Sequence, residues 1–325
     1  MTRRKKGNSR RKTWPRFFSG GTNAKPMNCA PAVDGKKVNE NSCFTPEIMI
    51  KLKAAYNNTH RNDRITSENP SEIWKIMHDK LSNGKCGKKE DCWLDSLISN
   101  EEERKKIKDL IFRPKQPKEW KDNPDEWLSN YDIFDVAKQY EVSHPELKII
   151  APTSIDFDTK RKGTNTCVST ELCKFDLKHW TSAPNKKTKF GIVFNLDKHN
   201  EPGSHWVSLW IDVTEKVIVF FDSAANGLPK EVDDLIKRVV EQGKKMNIDF
   251  TVYENGKHEH QKGNTECGMY SLFFLITMLT GKLPEGDDAD GGKSLTMKER
   301  IDMFMKGNIS DETVFDYRDL YFNPQ

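Results

Sequence analysis

The sequence predicts an α+β fold: short strands packed among helices, with a helical arm ahead of them. Three observations predict it. Four short runs rich in Val, Ile, Phe and Trp, at 190–196, 206–213, 217–221 and 249–253, have strand character, and only Thr214, Glu215 and Lys216 separate the middle two. From 41 to 112, apolar residues instead recur at helical spacing. A last helix, beginning near Cys267, runs into the apolar stretch 272–279. That stretch is far shorter than the ~20 residues a bilayer-spanning helix needs, so it reads as a buried core helix and no membrane span is expected.

With 325 residues and 35% hydrophobic content, the chain can bury one substantial core plus a satellite. Residues 1–40 are expected to be a disordered basic tail. Residues 1–33 hold nine of the 53 Lys and Arg and no acid, which leaves 44 basic against 49 acidic residues elsewhere. Such a like-charge run attracts polyanions such as nucleic acid or anionic lipid, and equally suits a solvated tail or a nuclear-import address.

The arm, 41–112, begins with Thr45 and Pro46 as a start signal, followed by Ile48, Met49, Leu52, Ala55 and Tyr56 on one helical face. Asn69-Pro70 repeats the signal before Ile73, Trp74, Met77 and Leu81. Residues 101–112 read as a further helix. The charged stretch after them, with Pro114, Pro117 and Pro124, reads as a linker or substrate-facing loop. The catalytic domain is taken as 113–325. In it, 125–141 reads as a helix start leading into a core helix, and 229–246 as a surface helix with Val232, Leu235, Ile236, Val239 and Val240 on one side. Seven cysteines at irregular spacing, an odd number with no CxxC pair, argue against a disulfide framework or a zinc site and for a reducing compartment. Cys86 and Cys92, with no histidine nearby, read as packing residues.

The chemistry is concentrated in three stretches. His205 stands just before one strand of the expected hairpin, Asp222 at the end of its partner, and Gln261 and Cys267 just before the apolar helix. Paired strands lie ~5 Å apart, so His205 and Asp222 can touch. A thiol becomes a good nucleophile beside an imidazolium or at the positive end of a helix, and Cys267 is placed for both. Asp222 would orient and charge-stabilise the imidazole, while Gln261 and the backbone N–H of Cys267 would donate to an oxyanion. Taken singly, a histidine before a strand is more often structural and a buried cysteine more often inert. The joint spacing carries the assignment. Trp206 is either an ordinary core residue or the roof of a substrate channel. His258 and His260 have only Glu259 near them as a third ligand, so no metal site and no cofactor are expected.

HWVSLWID, FFDSAANG and QKGNTECGMYS resemble the cysteine protease family that includes adenain, the adenovirus maturation protease, and the SUMO-specific proteases. His205, Asp222, Gln261 and Cys267 match its four catalytic positions in order and spacing; papain-like enzymes place glutamine and cysteine first. The closer resemblance is to members encoded by large nucleocytoplasmic DNA viruses, in the stretch 260–271 and in the helical unit preceding the catalytic region. It implies a small mixed sheet flanked by helices, no cofactor, a narrow channel admitting glycine-sized side chains, and Trp206 and Trp127 as substrate-binding residues. Trp127 sits in DEWLSNYDI, similar to a WLND-type segment of the family.

One departure is Gly263, where SUMO proteases typically have asparagine; Asn264 comes one position later. The resemblance therefore implies a thiol protease that cleaves viral capsid or core polyproteins after Gly-containing sites, in the virion and the viral factories of the host cytoplasm. A deconjugase of ubiquitin-like modifiers is the alternative. A nucleic-acid-binding virion protein on a decayed protease fold is a third, disfavoured because all four catalytic residue types are present.

Overall fold

Alternation along the central strands divides the catalytic core into two faces. In the computed structural model, which describes residues 27–324 except 83, 85, 88 and 284–293, the chain forms α1 (Pro46–Thr59), α2 (Pro70–Ser82), α3 (Glu90–Leu97), α4 (Glu101–Ile111), α5 (Asn130–Lys138), α6 (Tyr140–Ser143), β1 (Leu147–Ile149) and β2 (Thr153–Ser154). It continues with α7 (Thr170–Cys173), α8 (Leu177–Thr181), β3 (Lys189–Asn195), β4 (Trp206–Asp212), β5 (Val217–Phe221), α9 (Lys230–Lys244), β6 (Thr251–Glu254), α10 (Cys267–Thr280), α11 (Met297–Lys306), α12 (Asp311–Asp316) and α13 (Arg318–Tyr321). Successive strand residues point to opposite faces. Trp206, Trp210, Val219 and Phe221 therefore pack with α5, α10 and the C-terminal helices. Val207, Leu209, Ile211, Ile218 and Phe220 pack against α9 on the other face.

The sheet runs β1-β3-β4-β5-β6, with β2 also pairing β3. β3–β4 and β4–β5 are antiparallel, while β1, β2 and β6 pair in parallel, making the sheet mixed. The β4–β5 hairpin is as expected; β1 and β2 are too short to carry a readable alternation. In α10, every residue from Cys267 to Leu279 is buried. This all-round apolar helix lies under the sheet so closely that a Cβ on Gly191 of β3 would come within 2.8 Å of Ile149 and 3.2 Å of Leu275.

The arm has its own core, in which Phe44, Met49, Leu52, Ile73, Met77, Trp93 and Leu94 are fully buried or nearly so. Thr45 is the N-cap of α1 but makes no side-chain cap bond; Pro46 stands in the first turn as expected. The boundary placed at residue 40 needs correction. Ala30, Ala32 and Val33 are buried, and Val33 belongs to the arm core. Their charge-poor segment has apolar surface to bury; residues 1–26 lie outside the described region. Asn28 and Asn323 then join the two ends of the described chain. The Asn28 N–H donates to Asn323 Oδ1 at 2.6 Å, and Asn323 Nδ2 donates to the carbonyls of Asn28 and Arg113 at 3.0 and 2.9 Å.

The cysteine reading is also corrected. Cys29–Cys43, Cys86–Cys92 and Cys167–Cys173 are disulfides, and Cys267 is the free cysteine among the described residues. Cys86 and Cys92 are thus a covalent pair, and the expectation of a reducing compartment loses the observation on which it stood. An odd total with no CxxC pair does not exclude bridges. Chain turns bring Cys86 and Cys92 to 5.3 Å and Cys167 and Cys173 to 6.3 Å between Cα atoms, within bridging range.

Candidate active site

The β4–β5 hairpin places its two functional residues at one end of the sheet. Ser208 pairs with Phe221, so His205, just before β4, and Asp222, just after β5, stand side by side. His205 Nε2 lies 2.6 Å from Asp222 Oδ1. The loop before His205 is held by Asn195, whose Oδ1 accepts from the N–H groups of Asp197 and Ser204, and it turns at Gly203 with φ of 101°, a conformation that favours glycine.

Asp222 is 1% exposed and fully engaged. Oδ1 also accepts from the Ala224 N–H at 2.9 Å, and Oδ2 from the Asn226 N–H at 2.7 Å. Its peptide group is gripped from outside. Asn255 Oδ1 accepts from the Asp222 N–H at 3.0 Å, and Asn255 Nδ2 donates to the Asp222 carbonyl at 2.6 Å. Burial works to raise the carboxyl's pKa, but His205 and the two loop N–H groups outweigh it and hold it below the usual carboxylate range.

Cys267 is the first residue of α10 and 1% exposed. The N-cap Glu266 makes no side-chain bond into the first turn, where N–H groups have no partner within the helix. The His205 ring contacts Asp222 and feels the charge of Cys267. Burial disfavours its charge, yet hydrogen bonds and charge from both partners prevail and its pKa is pushed up to about 9. Around neutral pH the ring is therefore cationic, beside a cysteine at the positive end of a helix.

Gln261 is 3% exposed. Ser223 Oγ donates to Gln261 Oε1 at 2.7 Å, and Gln261 Nε2 donates to the Gly263 carbonyl at 3.2 Å, which leaves the second hydrogen of that nitrogen uncommitted by this bond. The Ser223 carbonyl accepts from the N–H groups of both His260 and Gln261 at 2.9 Å, anchoring this stretch to the end of β5.

The two tryptophans separate. Trp206 is 8% exposed and donates from Nε1 to the Leu128 carbonyl at 3.0 Å, whereas Trp127 precedes α5 and is 37% exposed. Both line a groove of ≈ 630 Å³ that also includes Leu128, Asn195 and Gly203. α5 starts later than the apolar pattern suggested, because Ser129 and Asp132 form a capping box there. Leu128 also abuts the nucleophile's helix: a Cβ on Gly268 would lie 3.0 Å from Leu128 Cβ. His258 and His260 have other duties, at the Gly307 and Phe304 carbonyls, and no cluster of three metal ligands occurs among the described residues.

Ser223 and Asn255 were missed from sequence. Ser223 had the weak signal of adjoining Asp222; Asn255, 33 residues from Asp222, had none.

The chain is also similar to known proteins. Residues 185–316 match the Ulp1 protease family, C-terminal catalytic domain. A protein of Acanthamoeba polyphaga mimivirus named as a thiol protease is 24% identical over 315 residues, covering 91% of this chain and 93% of its own. A cysteine protease of African swine fever virus is 26% identical over 157 residues, 47% of this chain and 58% of that protein; in other isolates it is named a SUMO-1 cysteine protease. The crystal structure of an African swine fever virus protease superposes with a TM-score of 0.58 at 18% identity, over 93% of this chain and 98% of that one, a likeness of fold. Residues 185–316 thus correspond to a Ulp1-type protease catalytic domain, and the chain is a cysteine peptidase.

Proposed function

We propose that Cys267 is the nucleophile of a protease that processes viral structural polyproteins at Gly-containing sites during particle maturation, acting in the virion and in the host cytoplasm where particles assemble. The observation that carries the catalytic assignment is the 2.6 Å contact between His205 and Asp222, with Cys267 among the groups that raise the same imidazole's pKa. In this reading the Cys267 sulfur attacks the scissile carbonyl carbon, and the carbonyl π pair moves onto oxygen. Gln261 Nε2 and the Cys267 backbone N–H receive that oxyanion. Collapse expels the amine, which takes its proton from the His205 imidazolium and leaves a thioester. Water then attacks the thioester, giving one proton to His205, and the carboxylic product departs as the cysteine is restored.

The substrate reading is supported by the extent of the likeness to viral proteins. The mimivirus relative aligns across nearly the whole chain, the arm included, whereas the family's catalytic match begins at residue 185. The groove beside Trp206 and Trp127 suits a slender, extended segment. The basic tail would add contacts to nucleic acid in a dense assembly and so raise the effective substrate concentration. The test incubates purified protein with candidate structural polyproteins and with SUMO and ubiquitin fusions, and reads new N-termini by mass spectrometry. Faster cleavage of a polyprotein at Gly-containing sites supports the proposal. Efficient cleavage of a SUMO fusion with no action on any polyprotein would replace it with the deconjugase reading that the name of the swine fever virus relative suggests.

A further inference from the structure

We infer that Asp311, on the C-terminal helix α12, is a positioning residue for the oxyanion-binding loop between Gln261 and Cys267, an inference that rests on Gln261 serving as an oxyanion donor. The five residues 262–266 separate the two catalytic positions, and Lys262, Gly263 and Asn264 within them are exposed. An exposed turn of this kind has no packing to define it. Asp311 supplies the definition. Its Oδ2 accepts from the Gly263 N–H at 2.8 Å and the Lys262 N–H at 3.0 Å, and its Oδ1 from the Lys262 N–H at 3.2 Å. The same Oδ1 lies 3.0 Å from the hydroxyl of Tyr270, a fully buried residue three positions after Cys267 on α10. One carboxylate therefore contacts both the turn ahead of the nucleophile and the helix behind it.

The contact reaches the oxyanion donor in one further step. Gly263, whose N–H Asp311 holds, presents its carbonyl to Gln261 Nε2 at 3.2 Å, while Ser223 holds Gln261 Oε1. The amide is thus fixed at both ends, and Asp311 sets the position of one end. Hydrogen bonds from two backbone N–H groups to an ionised carboxylate are of the strong, charge-assisted kind. The site also tolerates little else: a Cβ on Gly263 would lie 3.0 Å from Glu266 Oε2 and 3.5 Å from Asp311 Oδ2. Ser310 fixes Asp311 in turn, accepting from the Thr313 N–H as the N-cap of α12.

Asp311→Asn discriminates well from Asp311→Ala. The asparagine oxygen can take both backbone N–H groups, and its NH2 can turn to the Tyr270 oxygen, whose proton then goes to the Ile309 carbonyl 2.9 Å away. The experiment uses the full chain, a fluorogenic peptide, and iodoacetamide titration of active sites, so that turnover is expressed per competent site. Asp311→Ala should lower kcat per site by ~10-fold or more with KM within about twofold, as expected when a donor is displaced by a fraction of an ångström to 1 Å. Asp311→Asn should retain turnover within about threefold. In a Gln261→Ala background, Asp311→Ala should cost less than about twofold more, because the group it positions is gone. Losses that multiply fully in the double variant would overturn the inference, as would an Asp311→Ala effect confined to the number of titratable sites. If Gln261→Ala alone left turnover unchanged, the oxyanion assignment of Gln261 would fall instead.

Discussion

Replacing Asp222 with asparagine tests the electrostatic centre of the site, and the structure sets the size of the effect. The His205 pKa rises from its ordinary 6.5 to about 9, which corresponds to roughly 3 kcal/mol of preference for the charged ring at 1.36 kcal/mol per tenfold step. Asp222 and Cys267 share that stabilisation. Loss of the carboxylate's share costs on the order of tenfold. A second loss follows from hydrogen bonding. Asp222 accepts from His205 and the Ala224 N–H on one oxygen and from the Asn226 N–H on the other. An asparagine NH2 must face a donor whichever way it turns, and an unmet buried donor costs about 1–3 kcal/mol. Together these place the loss in kcat/KM at ~10²-fold or more, milder than removing His205, since the amide oxygen can still orient the ring. The assay is kcat/KM on a fluorogenic peptide from pH 5 to beyond the titration of His205. Wild-type activity should fall on the alkaline side near pH 9, as the imidazolium deprotonates. In Asp222→Asn that limb should move down toward the ordinary histidine value. Unchanged kcat/KM with an unmoved alkaline limb would refute the reasoning.

Further expected outcomes concern the remaining groups. Cys267→Ala or Cys267→Ser should abolish cleavage, and iodoacetamide on unreduced protein should label Cys267 ahead of the other six cysteines, which are paired; peptide mapping checks this. Gln261→Ala should reduce turnover by ~10²–10³, as for other single oxyanion donors, measured as kcat at saturating peptide. The stability conferred by His205 should be complete below about pH 6.5 and disappear as pH rises through about 9, while that of Asp222 should disappear as pH falls below the ordinary carboxylate range. Thermal melting from pH 3 to 10 reads both, and Asp222→Asn should flatten both dependences. Asn323→Ala removes three side-chain hydrogen bonds to Asn28 and Arg113 and should destabilise the protein by roughly 2–4 kcal/mol, read from urea unfolding followed by tryptophan fluorescence.

Local patterns in the chain determined much of this architecture. Short runs rich in Val, Ile, Phe and Trp specify β3, β4 and β5, a three-residue connection makes β4 and β5 a hairpin, and an all-round apolar run makes α10 a core helix. Those features suffice to bring His205 beside Asp222 and to set Cys267 at a helix start, because each depends on neighbours only a few residues or one hairpin away. The tertiary structure alone decided what lies further off. Asn255 grips Asp222 across 33 residues and Ser223 orients Gln261 across 38. Asp311, in a region without a readable signal in the sequence, reaches back 48 residues to Gly263. The packing of residues 27–40 on the arm, the parallel strands β1 and β2, and the pairing of six cysteines are of the same kind. A side chain that makes a long-range hydrogen bond leaves no periodic trace, since its partner is chosen by how the sheet and helices stack. The groups that receive a reacting substrate follow the local pattern, whereas those that hold them in place follow the topology.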